Sequence, residues 1–178
     1  MTSHPHPALT PELLTRVLHA QGLSPASRIE SFTLETIGEG VGFTSHLARL
    51  RLRYAGQADG APASLVAKWS SSDPKVLAWM KRIRLYEREA RFYTELADSS
   101  RLRTPHCFHA ACDPDTGGCL LLLEDLAPAR PGDNVVGSPP AESALVLGEV
   151  AKLHAAWWKH PQLPALDWIP RAMRTSRD

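Results

Sequence analysis

A glycine-rich segment has the clearest capacity for chemistry in this sequence. It runs Gly38-Glu39-Gly40-Val41-Gly42-Phe43-Thr44-Ser45 and lies between two stretches with the pattern of a strand. Glycine has no Cβ, so the backbone of such a turn can approach and cover the phosphates of a nucleotide. A dinucleotide-binding loop requires a helix directly after the glycines, and a P-loop requires Gly-Lys followed by Ser or Thr; neither is present. The segment therefore predicts either a phosphate-covering hairpin or an ordinary hairpin that uses glycine for its turn.

A lysine and a glutamate downstream of the glycines could complete a site for an anion. Lys68 lies near the end of the apolar strand segment 64–69, where an unpaired ammonium is costly. It needs an anionic partner unless its side chain reaches water. In the helix that follows, Glu89 is the only acid between two apolar stripes when residues advance by about 100° each. We therefore expect Glu89 to face the sheet and pair with Lys68, the alternative being an intrahelical pair with Arg82.

Prolines, glycines and hydrophobic periodicity define the elements that must position these residues. Thr10-Pro11 and Asp73-Pro74 are each a helix cap followed by a first-turn proline, and Ser138-Pro139 opens a third helix. In chain order the predicted elements are a helix from Pro11 to Gly22, strands at 31–37, 49–54 and 64–69, one helix from Asp73 to about Ala97, strands at 108–112 and 120–123, a loop at 127–137 and the final helix. This order predicts an antiparallel α+β fold rather than a doubly wound sheet.

The composition argues against several classes of partner. The 178 residues carry 20 basic and 19 acidic side chains, a formal charge of +1, so no global field favours nucleic acid or an anionic membrane. No apolar run approaches the roughly 20 residues of a membrane span, and the His- and Pro-rich N-terminus has no signal-peptide core. The arginines between residues 82 and 103 are interleaved with acids, which is typical of a solvated face. Three cysteines without framework spacing favour a reducing compartment, so we expect a cytoplasmic protein.

Possible metal ligands gather between residues 106 and 119. They are His106, Cys107, His109, Cys112 and Cys119. Their spacing is not that of a zinc finger or ribbon. Strand alternation would place Cys107 and His109 on one face and Phe108 on the other. We therefore expect buried thiols and surface histidines here rather than a metal site.

Four segments together resemble a known family of kinases. They are the glycine-rich segment 38–45, Arg88-Glu89-Ala90-Arg91-Phe92-Tyr93, Leu120-Leu121-Leu122-Leu123-Glu124-Asp125-Leu126 and Leu153-His154-Ala155-Ala156-Trp157-Trp158. In this order, over residues 31–160, they resemble the aminoglycoside-phosphotransferase-like small-molecule kinases, and most closely their ecdysteroid-kinase-like (CHK kinase-like) branch. The resemblance implies a protein-kinase-like fold: an N-lobe with a five-stranded antiparallel sheet and one long helix, a hinge, and the first helix of an incomplete C-lobe. It divides the chain into an N-terminal helix and linker (1–30), the N-lobe (31–126), a hinge loop (127–137) and the start of the C-lobe (138–178).

The same resemblance implies a role for each matching residue. The nucleotide-binding set would be Gly38, Gly40, Gly42, Ser45, Lys68, Leu123, Glu124, Asp125 and Leu126. Within it the glycines would cover the ATP phosphates, Lys68 would hold the α- and β-phosphates, and residues 124–126 would contact adenine through their backbone. Glu89 would orient Lys68, and residues 153–158 would belong to the core of the second lobe. The implied reaction is ATP- and Mg²⁺-dependent transfer of phosphate to a hydroxyl of a small organic molecule.

One part of the apparatus of such kinases is missing from the sequence. Their catalytic loop resembles His-Gly-Asp followed by Asn, where the aspartate is the base for the substrate hydroxyl, and a second aspartate binds magnesium. No His-x-Asp occurs in the 178 residues, so we expect the Mg²⁺ ligands in a C-lobe outside this chain. We therefore expect a fragment of a longer kinase, inactive alone; the alternative is a non-catalytic half-kinase that binds nucleotide or a partner protein. No motif identifies the phosphate acceptor.

Overall fold

Five antiparallel strands form a sheet in the order β1-β2-β3-β5-β4. The computed structural model describes residues 6–38, 44–56, 58–130, 132–133 and 135–170. The strands are β1 (Arg28–Thr36), β2 (Ser45–Ala55), β3 (Ser64–Ser70), β4 (Cys107–Cys112) and β5 (Cys119–Glu124). The helices are α1 (Pro11–Ala20), α2 (Pro74–Arg82), α3 (Leu85–Arg91) and α4 (Pro140–Trp157), with a π-helical turn at Phe92–Leu96 and 3-10 turns at Ala97–Ser99 and Leu163–Ala165. The α+β class and the five strands are therefore confirmed.

The helix α1 covers one face of the sheet. It begins as its cap motif predicts, because the Thr10 hydroxyl accepts a hydrogen bond from the Leu13 amide and Pro11 lies in the first turn. Its apolar side packs with alternate residues of the strands. The buried cluster comprises Leu9, Leu14, Val17, Leu18, Ile29, Ala48, Leu50, Leu65, Ala67, Trp69, Leu120 and Leu122. The helices that follow β3 pack against the opposite face of the sheet.

The helical segment after β3 is interrupted at Arg84. The Asp73 carboxylate caps α2 as predicted by accepting the amides of Lys75 and Val76. However, α2 ends at Arg82, and Arg84 has a left-handed backbone with φ 54°. The prediction of one continuous helix to about Ala97 is therefore wrong, and two shorter helices and a π-helical turn replace it.

A packing requirement accounts for this break. Met80 of α2 and Tyr86 of α3 are both almost fully buried, and both pack against Cys119 at the start of β5. A left-handed backbone conformation destabilises a residue other than glycine by about 1–2 kcal/mol. The burial of two large apolar side chains can offset this loss. The break is invisible in the sequence because the apolar stripe continues through it.

Two of the three cysteines are joined across the β4–β5 hairpin. Cys112 and Cys119 lie directly opposite in the strand register and form a disulfide, with 4.0 Å between their Cα atoms. Cys107 is free and half-buried. The expectation of free thiols is therefore wrong for Cys112 and Cys119, because the turn between them returns the chain and makes them a cross-strand pair.

A bulge in β4 overturns a second prediction about this region. Cys107 lies opposite Leu123 in the register, whereas His109 lies opposite Leu122, with an irregularity between them. A bulge inserts an extra residue and so shifts the alternation. Cys107 therefore packs on the α3 side of the sheet and Phe108 on the α1 side, but His109 does not share the face of Cys107.

The helix α4 follows a loop with a cis Ala127–Pro128 peptide bond. None of its 18 residues is buried. Leu145, Val146 and Leu147 are 73%, 62% and 67% exposed. Within the described part of the chain, no helix combines the length and the apolar character needed to cross a membrane.

Candidate functional site

An ion pair between β3 and α3 lies at the centre of the site. The Lys68 Nζ donates hydrogen bonds to both carboxylate oxygens of Glu89, at 2.6 and 2.8 Å. Both side chains are partly buried, at 27% and 29% exposure. Glu89 thus faces the sheet, as its position between the apolar stripes predicts, and its ion-pair partner is Lys68 rather than Arg82. The pair leaves one donor of the ammonium for another anion.

The strand register places a row of three side chains along one face of β3. Ser64, Val66 and Lys68 alternate with buried residues and therefore share the face of the sheet that is turned towards α3. Ser64 lies opposite Arg51, Val66 opposite Arg49 and Leu123, and Lys68 opposite Leu47 and Leu121. From Ser64 to Lys68 the strand spans about 13 Å. This length is comparable to that of an extended nucleoside diphosphate.

The glycine-rich segment lies at the Lys68 end of this row. Gly38 has a φ of +71°, which favours glycine, and the Ile37 amide donates to the Leu47 carbonyl to close the base of the hairpin. Ser45 begins β2 opposite Ser70. Gly40 and Gly42 lie outside the described residues, so their predicted contact with phosphate stays a prediction.

Tyr86 holds the base of the glycine-rich segment from the side of α3. Its hydroxyl donates to the Thr44 carbonyl and accepts a hydrogen bond from the Ser71 amide at 3.1 Å. Tyr86 is 5% exposed, and burial raises the pKa of its phenol. One side chain therefore connects α3, the end of β3 and the start of β2.

The predicted hinge leaves β5 at the other end of the row. Leu123 is buried and packs with Ala90 of α3 and with Val66. The Glu124 carboxylate accepts hydrogen bonds from the Arg103 guanidinium at 2.7 Å and from the His106 amide at 3.0 Å, and the Arg103 bond lowers its pKa. Leu126 is 41% exposed. The Glu124 side chain is thus engaged within the protein, and the backbone amide of Glu124 donates to the His106 carbonyl at 2.8 Å.

Asp125 is the most strongly held residue of the hinge. The Arg49 guanidinium donates to both of its carboxylate oxygens, at 2.6 and 3.2 Å, and the Ser64 hydroxyl donates at 2.7 Å. The Arg49 hydrogen bond is the main cause that lowers the pKa of Asp125 to about 2. The side chain is only 7% exposed.

The acidic side chains outside the Lys68–Glu89 pair and the hinge do not gather into a cluster in the described part of the chain. Asp113 and Asp115 lie in the β4–β5 turn, where Asp113 accepts hydrogen bonds from the amide of Asp115 and from Thr116. Asp167 lies near Arg91 on the far side of α3. Within the described ranges, no group of three His, Cys, Asp or Glu side chains is placed to hold a metal ion. Lys68 therefore provides a cation on the α3 face of the sheet, and the described aspartates outside the hinge lie away from it.

The fold and the site together define a class of protein. A glycine-rich hairpin, a β3 lysine paired with a glutamate of the next helix, and an apolar strand that leads into a hinge are the parts of a kinase-like N-lobe. Comparison with protein families then places the chain within this class: the model of the ecdysteroid kinase-like family matches residues 39–164. The chain belongs to this family, and its membership indicates phosphotransferase activity of the kinase type. Searches among curated proteins and among solved structures gave no match.

Sequence reasoning missed several residues that build the site. Val66 could have been found from the alternation of β3, which puts it on the Lys68 face. Tyr86 lies at helical spacing among apolar residues of its segment, and that spacing does not indicate the contacts of its hydroxyl. Arg49 and Ser64 belong to strands far from Asp125 in sequence, so no local pattern indicates their contact.

Proposed function

We propose that the protein takes part in ATP-dependent transfer of phosphate to a hydroxyl group of a small organic molecule. The observation that carries the proposal is the Lys68–Glu89 ion pair on the α3 face of the sheet. An ammonium held by a carboxylate has a fixed position and a remaining donor, which suits it to bind phosphate oxygens. Lys68 would hold the α- and β-phosphates of ATP, and Glu89 would keep Lys68 in place.

The geometry of the described residues fits a nucleotide. The phosphate end would lie at Lys68, beneath the glycine-rich segment that starts at Gly38, with Ser45 as a further hydroxyl donor. The base would lie near Val66 and Leu123, against the backbone of residues 124–126. The row along β3, about 13 Å long, separates these two ends.

Transfer itself requires groups that the sequence does not contain. Phosphoryl transfer of this type uses an aspartate as base and Mg²⁺ to neutralise phosphate charge, and the 178 residues have no His-x-Asp. The described residues do not fit a magnesium site. The role of this chain in the reaction is therefore to bind and orient the nucleotide.

The proposal can be tested by titration calorimetry, in which the affinity for ATP is measured for the wild-type protein and for two lysine variants. Lys68→Ala should weaken binding of ATP by on the order of tenfold or more, because a charge-assisted hydrogen bond to phosphate contributes about 1.5–3 kcal/mol. Lys152→Ala is the matched control, since Lys152 is an exposed lysine that also pairs with a glutamate. Equal affinity for the wild type and Lys68→Ala would show that Lys68 does not bind the phosphates.

A second function, binding of a partner protein without catalysis, is favoured by the surface of α4. This helix has exposed Leu145, Val146 and Leu147. Its C-terminal part borders an apolar groove of about 570 Å³ whose lining includes Phe92, Leu153 and Trp157. Large exposed apolar surfaces are typical of interaction sites. Sedimentation over a range of protein concentrations would test this function, and a monomer at every concentration would count against self-association through this surface.

A further inference from the structure

The side chain of Asp125 is committed to the protein rather than open to a ligand. Its two oxygens accept two hydrogen bonds from Arg49, one from Ser64, and one from the Ala127 amide at 3.1 Å. These partners belong to three different places: β2, the first residue of β3, and the loop after β5. A single carboxylate therefore joins the hinge to two strands and to its own following turn.

The position of these contacts follows from the strand register. Glu124 is the last residue of β5 and lies opposite Leu65 of β3. Asp125 is the next residue, so the chain leaves the sheet beside Ser64, and the Asp125 carboxylate reaches the α3 face on which Arg49 lies. The attachment is thus at the end of the β3 row opposite to Lys68.

Arg49 extends the attachment across the sheet. Besides Asp125, its guanidinium contacts Glu35 of β1 at 3.4 Å, and Glu35 lies directly opposite Arg49 in the register. The contact with Asp125 is shorter and bidentate, and the Asp125 side chain is far less exposed than that of Glu35, at 7% against 48%. The Arg49–Asp125 pair is therefore the stronger of the two, because it is the more desolvated and has the better geometry.

We propose that Asp125, held by Arg49 and Ser64, is a positioning residue that fixes the hinge backbone and so gives the site its selectivity for adenine. The proposal rests on the proposed function. The hinge can distinguish bases only through backbone groups at fixed positions, because a displaced donor or acceptor loses its hydrogen bond to the base. Asp125 touches no nucleotide atom in this proposal; it acts through the backbone of residues 124–127.

The test separates hinge position from phosphate binding by comparing two nucleotides. Affinities for ATP and GTP are measured by calorimetry on the full chain for the wild type, Asp125→Asn and Ser64→Ala. Asparagine keeps the size of the side chain but cannot accept a bidentate guanidinium contact with two anionic oxygens. We expect the preference for ATP over GTP to fall at least fivefold in Asp125→Asn, and less in Ser64→Ala, which removes one hydrogen bond. Lys68→Ala should instead lower the affinities for ATP and GTP by the same factor.

Hydrogen exchange supplies a readout that needs no nucleotide. In Asp125→Asn the amides of residues 124–127 should exchange faster than in the wild type, while those of β3 keep their protection. Glu30→Gln is the matched control, because it breaks an exposed carboxylate–arginine pair of the same sheet, between Glu30 of β1 and Arg53 of β2. It should change neither the exchange of the hinge nor the nucleotide preference.

Each outcome has a distinct meaning. If the wild type prefers ATP and Asp125→Asn keeps that preference with unchanged hinge exchange, the positioning role is overturned while the proposed function stands. If the wild type binds neither nucleotide, the proposed function fails and the selectivity role fails with it, whether or not the hinge exchange changes. Faster exchange in the hinge together with a reduced ATP preference supports the proposal.

Discussion

Lys68 and Glu89 join β3 to α3 through two hydrogen bonds from one ammonium, at 2.6 and 2.8 Å. Ala90, the next residue of α3, packs against Leu121 and Leu123 of the neighbouring strand β5. The pair therefore fixes how α3 is placed along the sheet, while the apolar contacts fix its distance from the sheet. Any shift of α3 along the sheet would therefore move Glu89 relative to Lys68 and disturb the ion pair.

The coupling between Lys68 and Glu89 can be measured in a double-mutant cycle. Lys68→Met, Glu89→Gln and the double variant are unfolded with denaturant. We expect the losses of unfolding free energy in the two single variants to add up to more than the loss in the double variant. The difference, which is the coupling energy, should be about 1–2 kcal/mol, because each single variant leaves a partly buried side chain without its partner. The exposed Lys152–Glu149 pair of α4 is the control cycle and should couple by less than about 0.5 kcal/mol. Equal coupling in the two cycles would contradict the structural importance of the pair.

Tyr86→Phe should affect both stability and nucleotide binding. The substitution removes the hydroxyl that bonds the Thr44 carbonyl and the Ser71 amide, and it leaves both backbone groups without that partner. We expect a loss of about 1–2 kcal/mol in the free energy of unfolding and weaker binding of ATP, since the base of the glycine-rich segment is released.

Tyr54→Phe is the matched control for this substitution. The Tyr54 hydroxyl donates to the Pro62 carbonyl at 2.8 Å in the connection between β2 and β3, away from the glycine-rich segment. It should lower stability by about 1 kcal/mol and leave the affinity for ATP unchanged. If both variants reduced affinity equally, the effect of Tyr86 would be a general loss of stability rather than a loss of loop support.

The contacts of Asp125 predict a particular dependence of stability on pH. Its pKa is lowered in the folded chain to about 2 from an ordinary value of 3.8, so the folded state binds this proton less readily than the unfolded state. The resulting stabilisation is complete above about pH 5 and is lost as the pH falls through 2. We expect roughly 1 kcal/mol to be lost between pH 5 and pH 3 through this residue, and the remainder below.

Denaturant unfolding of the wild type and Asp125→Asn at several pH values measures this contribution. The difference in unfolding free energy between the two proteins should be largest near pH 6 and should shrink as the pH approaches 3, because asparagine does not titrate. Two curves that run parallel from pH 6 to pH 3 would show that Asp125 has no lowered pKa in the folded protein.

The strands, the first cap and the Lys68–Glu89 pair could be predicted because each depends on a local pattern. Thr10-Pro11 specifies the start of α1 through groups within three residues. Lys68 and Glu89 lie in consecutive elements, so the turn of the helix alone decides whether Glu89 faces the sheet. Local geometry was sufficient in these cases.

The remaining features depend on contacts that local patterns do not contain. The bend at Arg84 exists because Met80 and Tyr86 must both reach Cys119, which only the folded sheet makes necessary. The Arg49–Asp125 pair joins residues 76 positions apart, and the three arginines at 49, 51 and 53 look alike in the sequence although only Arg49 contacts the hinge among the described residues.

The disulfide between Cys112 and Cys119 determines how many thiols of the chain can react. Protein purified without reductant and unfolded in denaturant should show one reactive thiol per chain, from Cys107, and three after reduction. Closing so short a loop restricts the unfolded chain, so Cys112→Ser with Cys119→Ser should lower the free energy of unfolding by about 2–3 kcal/mol. Cys107→Ser is the control, because it should abolish the single thiol signal and leave the disulfide in place. Three reactive thiols before reduction would mean that the cross-strand pair is a dithiol in the purified protein, and the double substitution should then cost much less stability.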